Sequence, residues 1–224
     1  MRGKALNAKI VFLAGFLLSI LFFIASFVLF KQNFLYEIFV HTSFIFAGLY
    51  LVWNNNLKDT LKSLGLPGNL LWNIIWSIAG FLAIIVMMVV ISLTLMYFGY
   101  QDNAKVFNVL RGVPSWILVL AVVGAPISEE LLFRAGLIGY FERTALRYKM
   151  PPALAAATAV VFSSLIFGSM HIFYGSVSEI VGATFIGLVL ALVYKRSGSL
   201  LPPMIIHFLF NLMSIAALIF GVAP

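Results

Sequence analysis

Three ionisable side chains, Glu129, Glu130 and Arg134, stand in "SEELLFR", residues 128–134, inside an apolar run long enough to cross a bilayer. Each charge at the centre of a lipid-inserted helix costs about 2.5–3.5 kcal/mol, so their presence there demands mutual compensation or a task. Glu130 and Arg134 are four residues apart, share a helical face and can neutralise each other. Glu129 lies about 100° round the helix from Glu130 and has no counter-ion at a local spacing. An unpaired carboxylate beside a paired one has the profile of a general base or acid. The plainer alternative is a structural ion cluster that locks helices together.

Two of the three histidines also lie deep in apolar segments. "FGSMH", residues 167–171, sets Phe167 and His171 on one helical face, and "HFLFN", residues 207–211, does the same for His207 and Asn211. One buried histidine is commonly a satisfied core residue. Two of them, with an amide one turn away and a spare carboxylate elsewhere, are harder to assign to packing. Buried polar groups need partners, and these can satisfy one another only if the three segments that carry them converge.

The composition says what those segments are. Of 224 residues, 63% are hydrophobic and 9% charged, with no cysteine, and the mean hydropathy is +1.10. Soluble domains carry roughly 25% charged residues, so the chain is expected to be a single all-α integral membrane domain over 1–224, a polytopic transmembrane helix bundle of seven or eight spans. The spans are expected at 10–30, 34–53, 70–98, 114–141, 152–173, 178–194 and 200–220, with the motifs confined to a core over 114–220. The first reads as an uncleaved anchor rather than a signal peptide. The absence of cysteine excludes disulfides, thiolate metal ligands and a cysteine nucleophile. The net charge of +7 does not point to nucleic acid, because its distribution follows membrane topology. Arg2, Lys4, Lys9, Lys58, Lys62, Arg143, Arg147, Lys149, Lys195 and Arg196 fall on one side, against Lys31, Lys105 and Arg111 on the other, which places the N-terminus in the cytoplasm. The polar connector 54–69, with Leu57, Leu61 and Leu64 at helical spacing, is expected to lie along the interface.

"EELLFR" as EExxxR, "FGSMH" as FxxxH and "HFLFN" as HxxxN resemble, in order and spacing, the three signatures of the CAAX prenyl protease and bacteriocin-processing family, also called the Abi family. Each motif alone is weak; all three on successive apolar segments are specific. The resemblance covers about 114–220 and implies a glutamate-type intramembrane endopeptidase. It implies that Glu129, assisted by His171, polarises a water that attacks the scissile carbonyl, that His207 and Asn211 hydrogen-bond the oxyanion, and that Glu129 passes its proton to the leaving amine. Glu130, Arg134 and Phe167 would support these groups from behind. The implied partners are membrane-tethered peptide or protein substrates, prenylated or bacteriocin-like, with no cofactor and no metal; a prokaryotic cell membrane is the default expectation for the location.

The residues agree with that class. An HExxH zinc pair is absent, Asp59 and Asp102 stand in connectors, and Ser169 is two residues from His171, on a different face. Two histidines and a carboxylate are still a donor set that zinc accepts. The rival functions are a non-proteolytic immunity or adaptor protein on the same fold and a proton-coupled transporter. No motif position is lost, which speaks against the first, and no internal repeat is visible, which speaks against the second.

Straight helices would leave His171 at the outer end of its span and Glu129 and His207 some 20 Å deeper. Two distortions are therefore expected. The uncharged connector 174–178 should sink into the protein, and the long fourth span should break at Gly124 and Pro126, with Ser128 capping a new helix. His41, four residues after Glu37, is expected to pair with it, and Glu179 to complement a helix N-terminus.

Overall fold

Without water in the hydrocarbon region each span must satisfy its own backbone, which favours helices throughout. The computed structural model describes residues 2–29, 35–53, 56–66, 68–100, 102 and 104–221, and the regular elements among them are all helical. Lys31 of the charge count, Phe30 and Phe34 at expected span edges, and Asn54, Asn55 and Pro67 of the polar connector lie outside the described residues.

In chain order the elements are α1 (Arg2–Leu29), α2 (Leu35–Val52), the short α3 (Leu57–Ser63), α4 (Leu70–Tyr97) and α5 (Ala104–Arg111). They are followed by α6 (Ser115–Arg147), α7 (Pro152–Ser169), α8 (Val177–Ser197) and α9 (Leu201–Ile219). Among the described residues six helices are long and apolar enough to cross a membrane, and α2 with α3 forms a seventh candidate bent by 91°. The chain is a polytopic helical membrane protein. The bend lays α3 across the end of α2.

The helix α6 is the hub: α2, α7 and α9 pack directly on it, α4 closes against α8 and α9, and α1 leans on α2. Lipid does not drive helices together by hydrophobicity, so close contact comes from small residues and polar ties. At Gly168 of α7 a Cβ would run into Thr184 of α8, and at Gly187 of α8 it would stand 3.1 Å from Phe167. Ile84, Ile186, Leu190, Val193 and Ile206 fill the space between α4, α8 and α9, while Leu70, Ile74, Ile78, Leu82 and Val86 of α4 turn outward, where lipid would lie.

The expected break in the fourth span does not occur. Residues 115–147 run as one 33-residue helix, about 50 Å long, and the excess over a ~30 Å hydrocarbon core is taken up by a polar end where Lys195 Nζ meets Glu142 at 2.8 Å. Pro126 is accommodated by the π-helical turn Leu120–Gly124 before it, and a second π-helical turn, Leu131–Ile138, follows the acidic pair. A wider turn moves the carbonyl four residues back away from the proline ring, so the helix continues. Ser128 is consequently no cap; its hydroxyl lies 3.0 Å from Gly124 O and 3.2 Å from Ala125 O.

The connector 174–178 does not sink as a whole either. Gly175 and Val177 are exposed, while Ser176 and Ser178 are buried. The cause is Asp102, which accepts from Ser176 Oγ at 2.9 Å, Val177 N at 2.8 Å and Ser178 N at 3.1 Å. Lys105 Nζ adds a bond to Gly175 O at 3.0 Å. Desolvation works to raise the Asp102 carboxyl, but these donors outweigh it and hold it well below the usual carboxylate range.

Candidate active site

The two π turns of α6 decide which groups face inward. Between them Ala125–Glu130 is a short α-helical segment that carries both glutamates. Glu130 is fully buried, and its Oε2 lies 3.0 Å from Arg134 Nε. The approach is off the N–H direction, so this is an ion pair rather than an aligned hydrogen bond, and among the described residues Arg134 Nε and Nη1 have no hydrogen-bond partner. The guanidinium instead stacks over Phe167 at 4.3 Å, and its Nη2 lies 3.5 Å from Gly187 O.

The other oxygen of Glu130, Oε1, is 2.8 Å from His207 Nδ1. A carboxylate held by an arginine is an acceptor only, so Nδ1 carries the proton and Nε2 faces away from Glu130. Glu129 Oε2 lies 3.9 Å from that Nε2, too long for a direct hydrogen bond. Thus α6 and α9 are joined along Arg134, Glu130, His207 and Glu129, and the spare carboxylate stands beside the free edge of an imidazole.

Asn211 is fixed by the first π turn. Ala125 N reaches back five residues to Leu120 O. In that register the donor for Ala121 O would be residue 126, and proline has none. Asn211 Nδ2 supplies the missing bond at 2.8 Å. Ser163 of α7 makes an analogous tie to Phe133 O, inside the second π turn, at 2.7 Å. Widened turns expose carbonyls, and neighbouring helices satisfy them.

His171 comes inward by a different route from the one expected. After Ser169 the helix tightens into a 3-10 turn, Met170–Tyr174, ending at Gly175, whose φ of 65° suits glycine. His171 Nδ1 lies 3.0 Å from Phe167 O, so the proton is again on Nδ1 and Nε2 of the neutral ring is an acceptor. Its ring centroid is 5.1 Å from Phe167, and His207 is 5.8 Å from the same ring. Phe167, 2% exposed, therefore has both imidazoles and the Arg134 guanidinium around it. Among the described residues no hydrogen bond or ion pair joins His171 to Glu129 directly.

One member of this region was misread from sequence. His41 does not pair with Glu37; its Nδ1 is 2.8 Å from Ser128 Oγ, next to Glu129. The local i, i+4 spacing of Glu37 and His41 hid a contact spanning 87 positions. The Asp102 clamp was also missed, although "SVSE", residues 176–179, has the spacing of a helix start: Glu179 N lies 3.1 Å from Ser176 Oγ. Glu179 itself stands in the first turn of α8, as expected. No group of three or more His, Cys, Asp or Glu among the described residues is arranged to hold a metal ion.

No curated protein and no solved structure matches the chain. A family model does match, described as type II CAAX prenyl endopeptidase Rce1-like, over residues 111–213. That stretch is a little under half of the chain; it holds all of α6, α7 and α8 and α9 as far as Met213, with every motif residue described above. Over its helices α6 to α9, this membrane protein is similar to the Rce1-like family.

Proposed function

We propose that the protein is an intramembrane endopeptidase in which Glu129 activates a water against a peptide bond of a membrane-tethered substrate. The observation that supports it best is the Glu129–His207 gap of 3.9 Å. A water bonded to both atoms at about 2.8 Å would see them ~90° apart, an ordinary angle for one solvent molecule. His171, with its Nε2 unprotonated, offers a second acceptor for that water across Phe167.

Glu129 takes one proton as the water oxygen bonds to the carbonyl carbon, and the carbonyl oxygen becomes an oxyanion. His207 donates to Glu130 from Nδ1 and, once its Nε2 has also taken a proton from solvent, donates that one to the oxyanion. Asn211 contributes the N–H that Ala121 leaves free. The C–N bond then breaks, and the proton held by Glu129 goes to the amine, leaving a carboxylic acid and an amine as products; the acid then gives its proton to solvent. Arg134 keeps Glu130 in place, so that it accepts from His207 throughout.

Substrates are peptides or proteins held at the membrane, prenylated at a C-terminal CAAX sequence or bacteriocin-like. The lysine-rich end of the bundle, with the N-terminus, faces the cytoplasm of a prokaryotic cell. The reading is tested by incubating the reconstituted full chain with quenched prenylated and unprenylated peptides, with and without metal chelators. Cleavage that survives chelation supports glutamate chemistry. Loss of cleavage on chelation points to zinc, and no cleavage of any peptide points to a binding role.

A further inference from the structure

A cavity of about 760 Å³ lies away from the glutamates, at the end of the bundle where α3, the start of α4 and the α8–α9 junction meet. Its walls hold two kinds of surface. Leu57, Leu61 and Trp72 present exposed apolar faces, while Lys58 and Lys62, four residues apart on α3, also line it. Neither lysine has an ion-pair partner among the described residues; Asp59, between them, is engaged by Asn56.

The deepest polar group is Asn73. It is 2% exposed, and its Oδ1 is buried without a hydrogen-bond partner, although the residue lines the cavity. An orphan buried acceptor is costly and calls for a donor. Gly68, also in the wall, leaves the amide uncovered: a Cβ there would stand 2.9 Å from Asn73 Nδ2. The floor is held in place by the Leu200 N to Leu64 O bond of 2.9 Å and by Gly65, whose φ of 71° and close approach to Gly198 exclude a side chain.

We propose that this cavity binds the head group of an anionic phospholipid bearing hydroxyl groups, with phosphatidylglycerol as the type. The phosphate lies between Lys58 and Lys62, a head-group hydroxyl donates to Asn73 Oδ1, and an acyl chain runs over Leu57, Leu61 and Trp72. Each part answers one otherwise unpartnered feature of the site. With α2 crossing the bilayer, the 91° turn of α3 would set both lysines along the bilayer surface, where phosphates are found. The site is separate from the proposed peptidase chemistry and does not depend on it.

The test is native mass spectrometry of the full chain in neutral detergent, titrated with dioleoyl phosphatidylglycerol or dioleoyl phosphatidylcholine. One phosphatidylglycerol should be retained with a preference of about five-fold for each lysine, or about 25-fold in all. Lys58→Gln with Lys62→Gln should abolish the preference, and Asn73→Leu should weaken it. The pair Arg147→Gln and Lys149→Gln, which removes the same charge outside the cavity, should leave it intact. Equal retention of the two lipids, or equal losses from both charge-removing pairs, would overturn the site. Displacement of the lipid by millimolar inorganic phosphate would also overturn it, by making a soluble anion the occupant.

Discussion

His207 gives its Nδ1 proton to Glu130 across 2.8 Å, and the accepting carboxylate is itself held by Arg134 at 3.0 Å. One carboxylate thus connects α6 to α9 and fixes the ring orientation. The second carboxylate, Glu129, is left beside the free ring edge. Removing the charge of Glu130 should therefore damage both stability and turnover. Glu130→Gln leaves a buried guanidinium without its counter-ion, at a cost of about 3–5 kcal/mol. Glu130→Gln with Arg134→Met should recover most of the thermal stability while turnover stays low. Recovery of both would mean that the pair serves stability alone.

Asn211→Ala should destabilise the protein by about 1–3 kcal/mol, because Ala121 O loses the donor that Pro126 cannot provide. Pro126→Ala restores a backbone N–H at the position the π register requires. The double variant should be more stable than Asn211→Ala alone, as read by thermal unfolding in detergent. Turnover should not return with it, since the amide that faces the oxyanion is still missing.

Gly168→Ala places a methyl group against Thr184. Overpacking of this kind costs about 1–3 kcal/mol. Adding Thr184→Ala should recover part of the loss but not all, because Thr184 Cα remains 2.9 Å from the new Cβ. Full recovery would show that α7 and α8 can separate without harm.

Acid should loosen the 174–178 connector through Asp102. Its carboxyl is depressed in the folded protein, so its stabilisation is complete above the unfolded value of about 3.9 and is lost as pH falls through the lower folded one. The wild type should lose protection at Val177 and Ser178 in hydrogen exchange as pH is lowered below about 4. Asp102→Asn should be less protected at neutral pH and nearly insensitive to acid there. Identical pH profiles for the two proteins would contradict this.

What the sequence revealed was local. The pairs Glu130–Arg134, Phe167–His171 and His207–Asn211 each sit four apart on one helix, and apolar length sets the spans, so both were readable. The contacts that assemble the site were not. Glu130 to His207 spans 77 positions, and Asn211 finds Ala121 only because a proline falls in a π register that no residue pattern announces. Pro126 was recognised as an interruption, but whether a proline breaks a helix or widens it depends on the helices packed around it. His41 was assigned to its neighbour Glu37 for the same reason: spacing ranks local partners above distant ones. Asp102 was passed over as a connector residue, although the serine–glutamate spacing of 176–179 marked the helix start it serves.

The proposed chemistry stands or falls on Glu129, and the most direct measurement is single-turnover cleavage of a membrane-tethered peptide by wild type and Glu129→Gln, with folding of the variant checked by its unfolding midpoint. The expected result is a normally folded variant whose rate is at least about a hundred-fold lower, as loss of a general base implies. A folded Glu129→Gln that cleaves at the wild-type rate would contradict it.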